Sequence, residues 1–334
     1  METLTKMQLF ERLRRGENPG RTIFSPILMH FAARHIGRTY GEFAADHKVL
    51  VEANLKALKD FDMDMVSLIS DPYRETAAFG AGIEFIPEGV PRCLNNVIKT
   101  AADIEKLQIP DVYEHERTLD RIRGAEAYRR ALNDEVPVIG WIEGPLAEAC
   151  DLAGVSDMLM MLMMDPEASE LLMDKCMEMA KTFARAQLEA GCHIIGMGDA
   201  VCSQIDAGTY ENFVRDRQKE IVAYIHSLGG LVKLHICGNI THLLPAIREV
   251  NADIVDLDWQ VGISEAHKIL GNDVIICGNI NPVTVQDLPA DKVHELCRDL
   301  VMSQQNQKFI LSAGCEITVN TPPENLVAMR KACQ

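Results

Sequence analysis

LVKLHICGNI, Leu231 to Ile240, is an apolar run that ends in a histidine, a cysteine and a glycine. In a strand, side chains alternate between faces, so His235 and Cys237 point the same way and can reach one ion. Part of the stretch recurs: ICGNI stands at Ile236 to Ile240 and again, 40 residues on, at Ile276 to Ile280. The apolar run Ile254 to Leu257 falls about midway between the copies. The copies therefore terminate alternate strands, the fifth and seventh in chain order, and their loops open on the same rim.

Outward from this stretch, strand-like runs lie at Thr22–Met29, Met63–Ile69, Val136–Ile142, His193–Met197, Leu231–His235, Ile254–Leu257, Val274–Cys277 and Phe309–Ser312. Helix-like segments separate them. Asp165–Ala190 opens with a capping aspartate before proline and stops at Gly191, and Tyr210–Leu228 ends at Gly229-Gly230. Strands alternating with helices give parallel βαβ units, and eight of them predict an α/β fold, a closed (β/α)8 barrel of the TIM type. The longer stretch Asp71–Glu135 predicts an inserted hairpin or helical excursion between strands 2 and 3. No linker rich in Pro, Gly or Ser divides residues 1–334, which predicts a single domain.

The 334 residues are 47% hydrophobic and carry a formal net charge of −16. Such a chain buries a large core, and its charge opposes binding to nucleic acid or to anionic membranes. METLTKMQLFERLRRG lacks the uninterrupted apolar core of a secretion signal, and no apolar run approaches the ~20 residues that span a bilayer. A cytoplasmic location is expected. The ten cysteines then read as reduced thiols, most of them packing residues.

Imidazole nitrogen with thiolate sulfur favours zinc. A third ligand is available in FILSAGCEI, where Cys315 follows an apolar run; Cys277 in the second ICGNI copy is a rival, and spacing does not choose between them. Three protein ligands leave a fourth position open to substrate, as in catalytic zinc sites.

HICGNI, GNINP (Gly278–Pro282), SAGCEI (Ser312–Ile317) and TPPENL (Thr321–Leu326), with WIEGPL (Trp141–Leu146) and IGMGDAVCS (Ile195–Ser203), resemble the uroporphyrinogen decarboxylase superfamily. Within it they look most like the zinc-dependent cobalamin methyltransferases, a branch that includes methylcobalamin:coenzyme M methyltransferase and O-demethylase methyltransferases. The resemblance covers nearly the whole chain. It implies zinc on His235, Cys237 and Cys315, in preference to Cys277, and methyl transfer between a corrinoid and a small donor or acceptor. Either an incoming thiol is readied for attack or an ether oxygen is helped to leave. With no Asp-x-His-x-x-Gly module in the chain, the corrinoid is expected on a partner protein docked over the barrel mouth. The EGP and GDA variants lean toward methoxylated donors.

The arginine-rich N-terminal motif of the true decarboxylase is absent, since the matching region reads FSPILMHFAARHIG with Arg34 and Arg38 nearby. LISDPYRETAAFGAGIEFIPEG does resemble the stretch that holds the decarboxylase's essential aspartate, which maps to Asp71. That enzyme needs no metal, so the His-x-Cys pair would be unexplained in it.

Further candidates follow from position. Asp258, beyond the sixth strand, is a candidate fourth zinc ligand, with a loop cap as the plainer account. Glu316, beside Cys315, should point away. Glu143, Asp199 and Ser203 occupy rim positions suited to substrate hydrogen bonds or proton transfer, or else tie rim loops together. Asn239 and Asn279 either meet substrate or stabilise turns. At helical spacing, MLMMLMM (Met158–Met164) reads as core filling, and His193 as a packing residue. A metal-free decarboxylase and a non-catalytic zinc barrel are the alternatives to methyl transfer. A homodimer is expected from the exposed helices of such barrels.

Overall fold

Each of the eight apolar runs carries a strand in the computed structural model, which describes residues 4–334. The strands are β1 (Ile23–Phe24), β2 (Val66–Ser67), β3 (Val138–Glu143), β4 (Ile194–Gly198), β5 (Leu231–Ile236), β6 (Ile254–Leu257), β7 (Ile275–Ile280) and β8 (Phe309–Ala313). All are parallel neighbours in one curled sheet, in the order β1-β8-β7-β6-β5-β4-β3-β2, with helices between them. This is the expected α/β barrel architecture. β1 and β2 are shorter than their runs; Pro26, which has no N–H to offer a ladder, follows β1 closely.

The β1 and β2 edges meet through one residue. Asp64 donates its N–H to Phe24 O at 2.8 Å and accepts the Phe24 N–H on Oδ2 at 2.8 Å. Arg21 grips both Asp64 oxygens, at 2.7 and 2.6 Å, and the aspartate is 1% exposed. A side chain thus supplies the pairing that two-residue strands are too short to make.

Ile23, Met65, Ile139, Trp141, Ile194, Ile254, Ile275, Cys277 and Ile310 fill the barrel interior, and Phe10 and Leu13 of the helix Lys6–Arg14 close its floor. Trp141 lies against β4, where a Cβ on Gly196 would come within 2.2 Å of its ring. Glycine there makes room for the indole. The helices form the outer layer; the longest, Pro166–Ala190, is capped by Asp165 and stops at Gly191. Tyr210–Leu228 is instead two helices, Ala207–Phe213 and Arg215–Ser227, broken at Val214. The insertion between β2 and β3 contains the helices Arg74–Ala78, Ala101–Lys106 and Glu116–Leu132 and an antiparallel hairpin of Ile83–Glu84 with Arg92–Cys93. None of the described helices is long and apolar enough to cross a membrane.

Two readings need correction. The second ICGNI copy does not follow its strand but forms most of β7, which puts Cys277 in the interior at 1% exposure. The methionine run is core filling only in part: Met158 and Leu162 are buried, while Met160, Met163 and Met164 are 58%, 83% and 84% exposed. Among the described residues, nothing covers one face of the helix Val155–Met164. His193 is a packing residue at the barrel floor, its Nδ1 accepting the Val138 N–H at 3.2 Å.

Asp64→Ala should lower stability by about 3 kcal/mol, because it leaves Arg21 and the Phe24 N–H without their partner. Glu17→Ala on the surface should change it by less than ~0.5 kcal/mol. Denaturant midpoints of the two variants decide; equal midpoints would mean that Asp64 does not hold the seam.

Candidate metal centre

Three ligand atoms of His235, Cys237 and Cys315 lie within 4.8 Å of one another. His235 Nε2 is 3.0 Å from Cys237 Sγ, which is 3.8 Å from Cys315 Sγ. His235, the penultimate residue of β5, projects into the barrel. The strand ends at Ile236, and Gly238, at φ +90°, turns the chain away in a conformation that suits glycine. Cys237 is left at the lip on the same side as His235. Cys315 arrives from the loop after β8, where a Cβ on Gly314 would come within 2.2 Å of Trp259 N. Only glycine lets that loop close on the loop after β6.

Beneath the three donors is a buried polar network. Asp256 on β6 stands opposite His235 in the sheet register, with Oδ2 at 3.2 Å from His235 Nδ1 and 3.0 Å from Lys233 Nζ. Lys233 and His235 alternate with apolar neighbours along β5, so both face inward. Burial alone would raise the Asp256 pKa, but Lys233 and His235 bring it down to about 2. An ionised carboxylate behind Nδ1 fixes the imidazole orientation that offers Nε2 to an ion. Asp256 and Lys233 were not singled out from the sequence. Their signal was period two in KLHIC and DIVDLD, visible only once the register of β5 against β6 is known.

Hydrogen bonding from the Cys237 thiol, with help from His235, lowers the Cys315 pKa to about 5 against the pull of burial. The same bond, with burial, pushes Cys237 up. Burial would lower His235, but Cys237 and Asp256 raise it well above the ordinary value. One thiolate is therefore stabilised beside an imidazolium. One borderline nitrogen and two soft sulfurs, backed by a carboxylate, are a donor set suited to zinc with room for a further ligand.

The remaining candidates are engaged elsewhere. Asp258 accepts from Gly238 N at 3.0 Å and Gln260 N at 2.9 Å, which caps the loop and leaves it outside the three-donor group. Asp199 is fully buried, taking Ala147 N at 2.7 Å and Gln218 Nε2 at 2.8 Å; burial raises it to about 6. Ser203 Oγ donates to Ala200 O, Asn239 Oδ1 accepts from Thr241 N, and Asn279 Nδ2 donates to Asp258 O and Val261 O. Glu316 points away and accepts from His30 N. Asp71 is held by Arg117 Nη2 at 2.7 and 2.6 Å, by Tyr73 N and by Ser70 Oγ. Glu143 is different: Oε1 takes Arg74 Nη2 at 2.6 Å, and among the described residues no hydrogen-bond donor meets Oε2. A second group, Asp46, His47 and Asp120, is a helix tie, with His47 N and Nδ1 both on Asp120 Oδ1.

The family model for uroporphyrinogen decarboxylase matches residues 5–334. Among curated relatives, the uroporphyrinogen decarboxylase of Dichelobacter nodosus is 26% identical over 98% of this chain and 97% of that protein. The enzyme of the same name from Myxococcus xanthus is 28% identical over 82% of this chain and 78% of its own length. Among solved structures, a methyltransferase from Methanosarcina mazei superposes with a TM-score of 0.90 at 20% identity, covering 99% of this chain and 98% of that one. A B12-independent methionine synthase from a Shewanella species gives 0.58 at 14% identity over 85% and 86%. At these identities the structural likenesses establish the fold.

In chelator-treated protein, iodoacetamide at pH 7 should modify Cys315 before Cys237. The thiolate is present above a pKa of about 5, so the labelling rate should hold from pH 8 to 6 and fall as the solution is acidified through pH 5. Peptide mass spectrometry reads both sites; faster labelling of Cys237 would reverse the assignment.

Proposed function

Since the chain belongs to the uroporphyrinogen decarboxylase family, we propose that it is a zinc-dependent methyltransferase acting between a corrinoid protein and a small substrate, a methoxylated compound or a thiol such as coenzyme M. The observation that carries this reading is the convergence of His235, Cys237 and Cys315 at one rim of the barrel. These three would hold the zinc, which when bound supplies Lewis acidity at its open position. Asp256 orients His235, and Lys233 offsets the charge of Asp256 in the interior. Trp141, whose ring centroid is 6.4 Å from that of His235, forms an apolar wall beside the site and keeps water from that side. The corrinoid is read as cargo of a partner protein that covers the mouth.

The names of the curated relatives favour a second reading, a decarboxylase centred on Asp71. Against it, the Asp71 carboxylate is already committed to Arg117 and is held ionised at about 2, burial being outweighed by Arg117 and Arg74. That ion pair fastens the helix Glu116–Leu132 of the insertion to the segment that follows β2.

The purified protein should hold about one zinc per chain, lost in Cys237→Ala and Cys315→Ala. Asp256→Asn should weaken zinc ~10–100-fold in competition with a chromophoric chelator. Chelation should leave the far-ultraviolet circular dichroism intact while abolishing methylation of cob(I)alamin by a panel of methyl ethers and methylated thiols, followed by the corrinoid spectrum. Unfolding on chelation would instead mark a structural ion. Decarboxylation of a porphyrinogen-like acid that persists in both cysteine variants and is lost in Asp71→Ala would favour the decarboxylase.

A further inference from the structure

Glu143 ends β3 in register with Gly198 of β4, which is itself in register with His235 of β5. All three positions face the interior, and the middle one has no side chain. A Cβ on Gly198 would meet Trp141 Nε1 at 3.2 Å and Glu143 Oε2 at 3.4 Å. The carboxyl oxygen and the indole therefore both close in over the glycine, whose strand neighbour on the other side is His235. Glu143 is held there from behind: Arg74 Nη2 fixes Oε1 at 2.6 Å, and its backbone N–H donates to Glu75 Oε1 at 2.9 Å.

The surroundings of Glu143 carry too few positive charges. From the helix Arg74–Ala78 it faces Arg74 and Glu75; from the helix Pro145–Ala153, Glu148 and Asp151; beyond them are Asp71, and across Trp141, His235. Arg117 is committed to Asp71, and Arg121 lies nearest Asp120. That leaves Arg74 as the guanidinium shared by Glu75, Glu143 and Asp151, with Glu148 beside them. Glu75 Oε2 and Glu148 Oε1 are buried without hydrogen-bond partners. A set of buried carboxyls facing one cation is neutral only if protons remain on some of them. Burial, reinforced by Glu75 and Asp151, pushes Glu143 well above the ordinary carboxylate range despite Arg74, and raises Asp151 to about 8.

We propose that Glu143 is a general acid, and that the substrates of this site are methyl ethers whose departing oxygen takes the proton from Glu143 Oε2. The inference rests on the methyl-transfer reading above and narrows its substrate class. The carbon–oxygen bond breaks with its electron pair left on oxygen, and a carbon–cobalt bond forms with the pair supplied by the reduced Co(I) of the corrinoid. The oxygen leaves as an alcohol or phenol after accepting one proton. The resulting Glu143 carboxylate is stabilised by Arg74 already in place, and a proton returns from solvent through the neighbouring carboxyls. A thiol acceptor has the opposite need, since it must lose a proton, and a protonated Glu143 does not serve it.

The test compares wild type with Glu143→Gln, both zinc-loaded, with cob(I)alamin and aryl methyl ethers of graded leaving-group acidity. Glutamine keeps the shape and the Arg74 contact but has no acidic proton. Glu143→Gln should fall at least ~100-fold on an unactivated methoxybenzene, by a much smaller factor on a nitro-substituted one, and so depend more steeply on leaving-group pKa. Independently of turnover, the infrared difference spectrum between the two proteins at pH 7 should contain the carbonyl stretch of one protonated carboxyl. If wild type demethylates ethers but the variant matches it across the series, or if no such band is lost, the acid assignment is overturned while the methyl-transfer reading stands. If wild type demethylates no ether in the panel, the substrate class proposed here is overturned, and transfer to cob(I)alamin from a methylated thiol would locate the failure in the inference, not in methyl transfer.

Discussion

The ion pair between Lys233 and Asp256, 3.0 Å long inside the barrel, is the interaction on which the rest of the site depends. Removing both charges from water is costly, and each is tolerated only because the other is present. The pair keeps a full negative charge in a space otherwise lined mainly by Ile, Met, Cys and Trp, where an unpaired aspartate would take up a proton. That charge stands behind His235 and aims its outer nitrogen at the two sulfurs. Disturbing the lysine would therefore be felt at the rim through two intervening contacts, without any change in the residues that meet an ion.

The glycines carry out the complementary task of bringing backbone close. Gly196 and Gly198 admit the indole of Trp141 against β4, Gly238 turns the chain just past Cys237, and Gly314 allows the loop after β8 to touch the loop after β6. Each adjoins a residue of the site. A Cβ at Gly196 or Gly314 would need an approach of 2.2 Å to a neighbouring atom. The geometry of the centre is set as much by these missing side chains as by the donors.

Much of this was legible in the sequence. The eight strands follow from apolar runs bounded by turn residues, and the pairing of His235 with Cys237 follows from the two-residue period of a strand. What was not legible is a matter of register and closure. Two aspartates, Asp256 and Asp258, share a face of β6 and its continuation, and the sequence does not say which stands level with His235. The register does: Asp256 is opposite it, and Asp258 lies one step higher, among loop N–H groups that occupy it. The second ICGNI copy likewise reads as a rim loop until the ladder with β8, which runs to Ile280, shows it to be strand. The break at Val214 gives no signal in a segment whose composition is helical throughout. Asp64, which stitches the seam, sits in an ordinary turn-like FDMD and is recognisable only from what it touches.

The helix Val155–Met164 adds a consequence of a chemical kind. Met158 and Leu162 bear its packing, while the sulfur-bearing chains of Met160, Met163 and Met164 stand in solvent. Peroxide would convert these outer thioethers to sulfoxides first, turning a greasy patch polar at almost no cost to the interior. That face of the molecule can take up oxygen and, once reduced again, return to its greasy state with the fold unchanged.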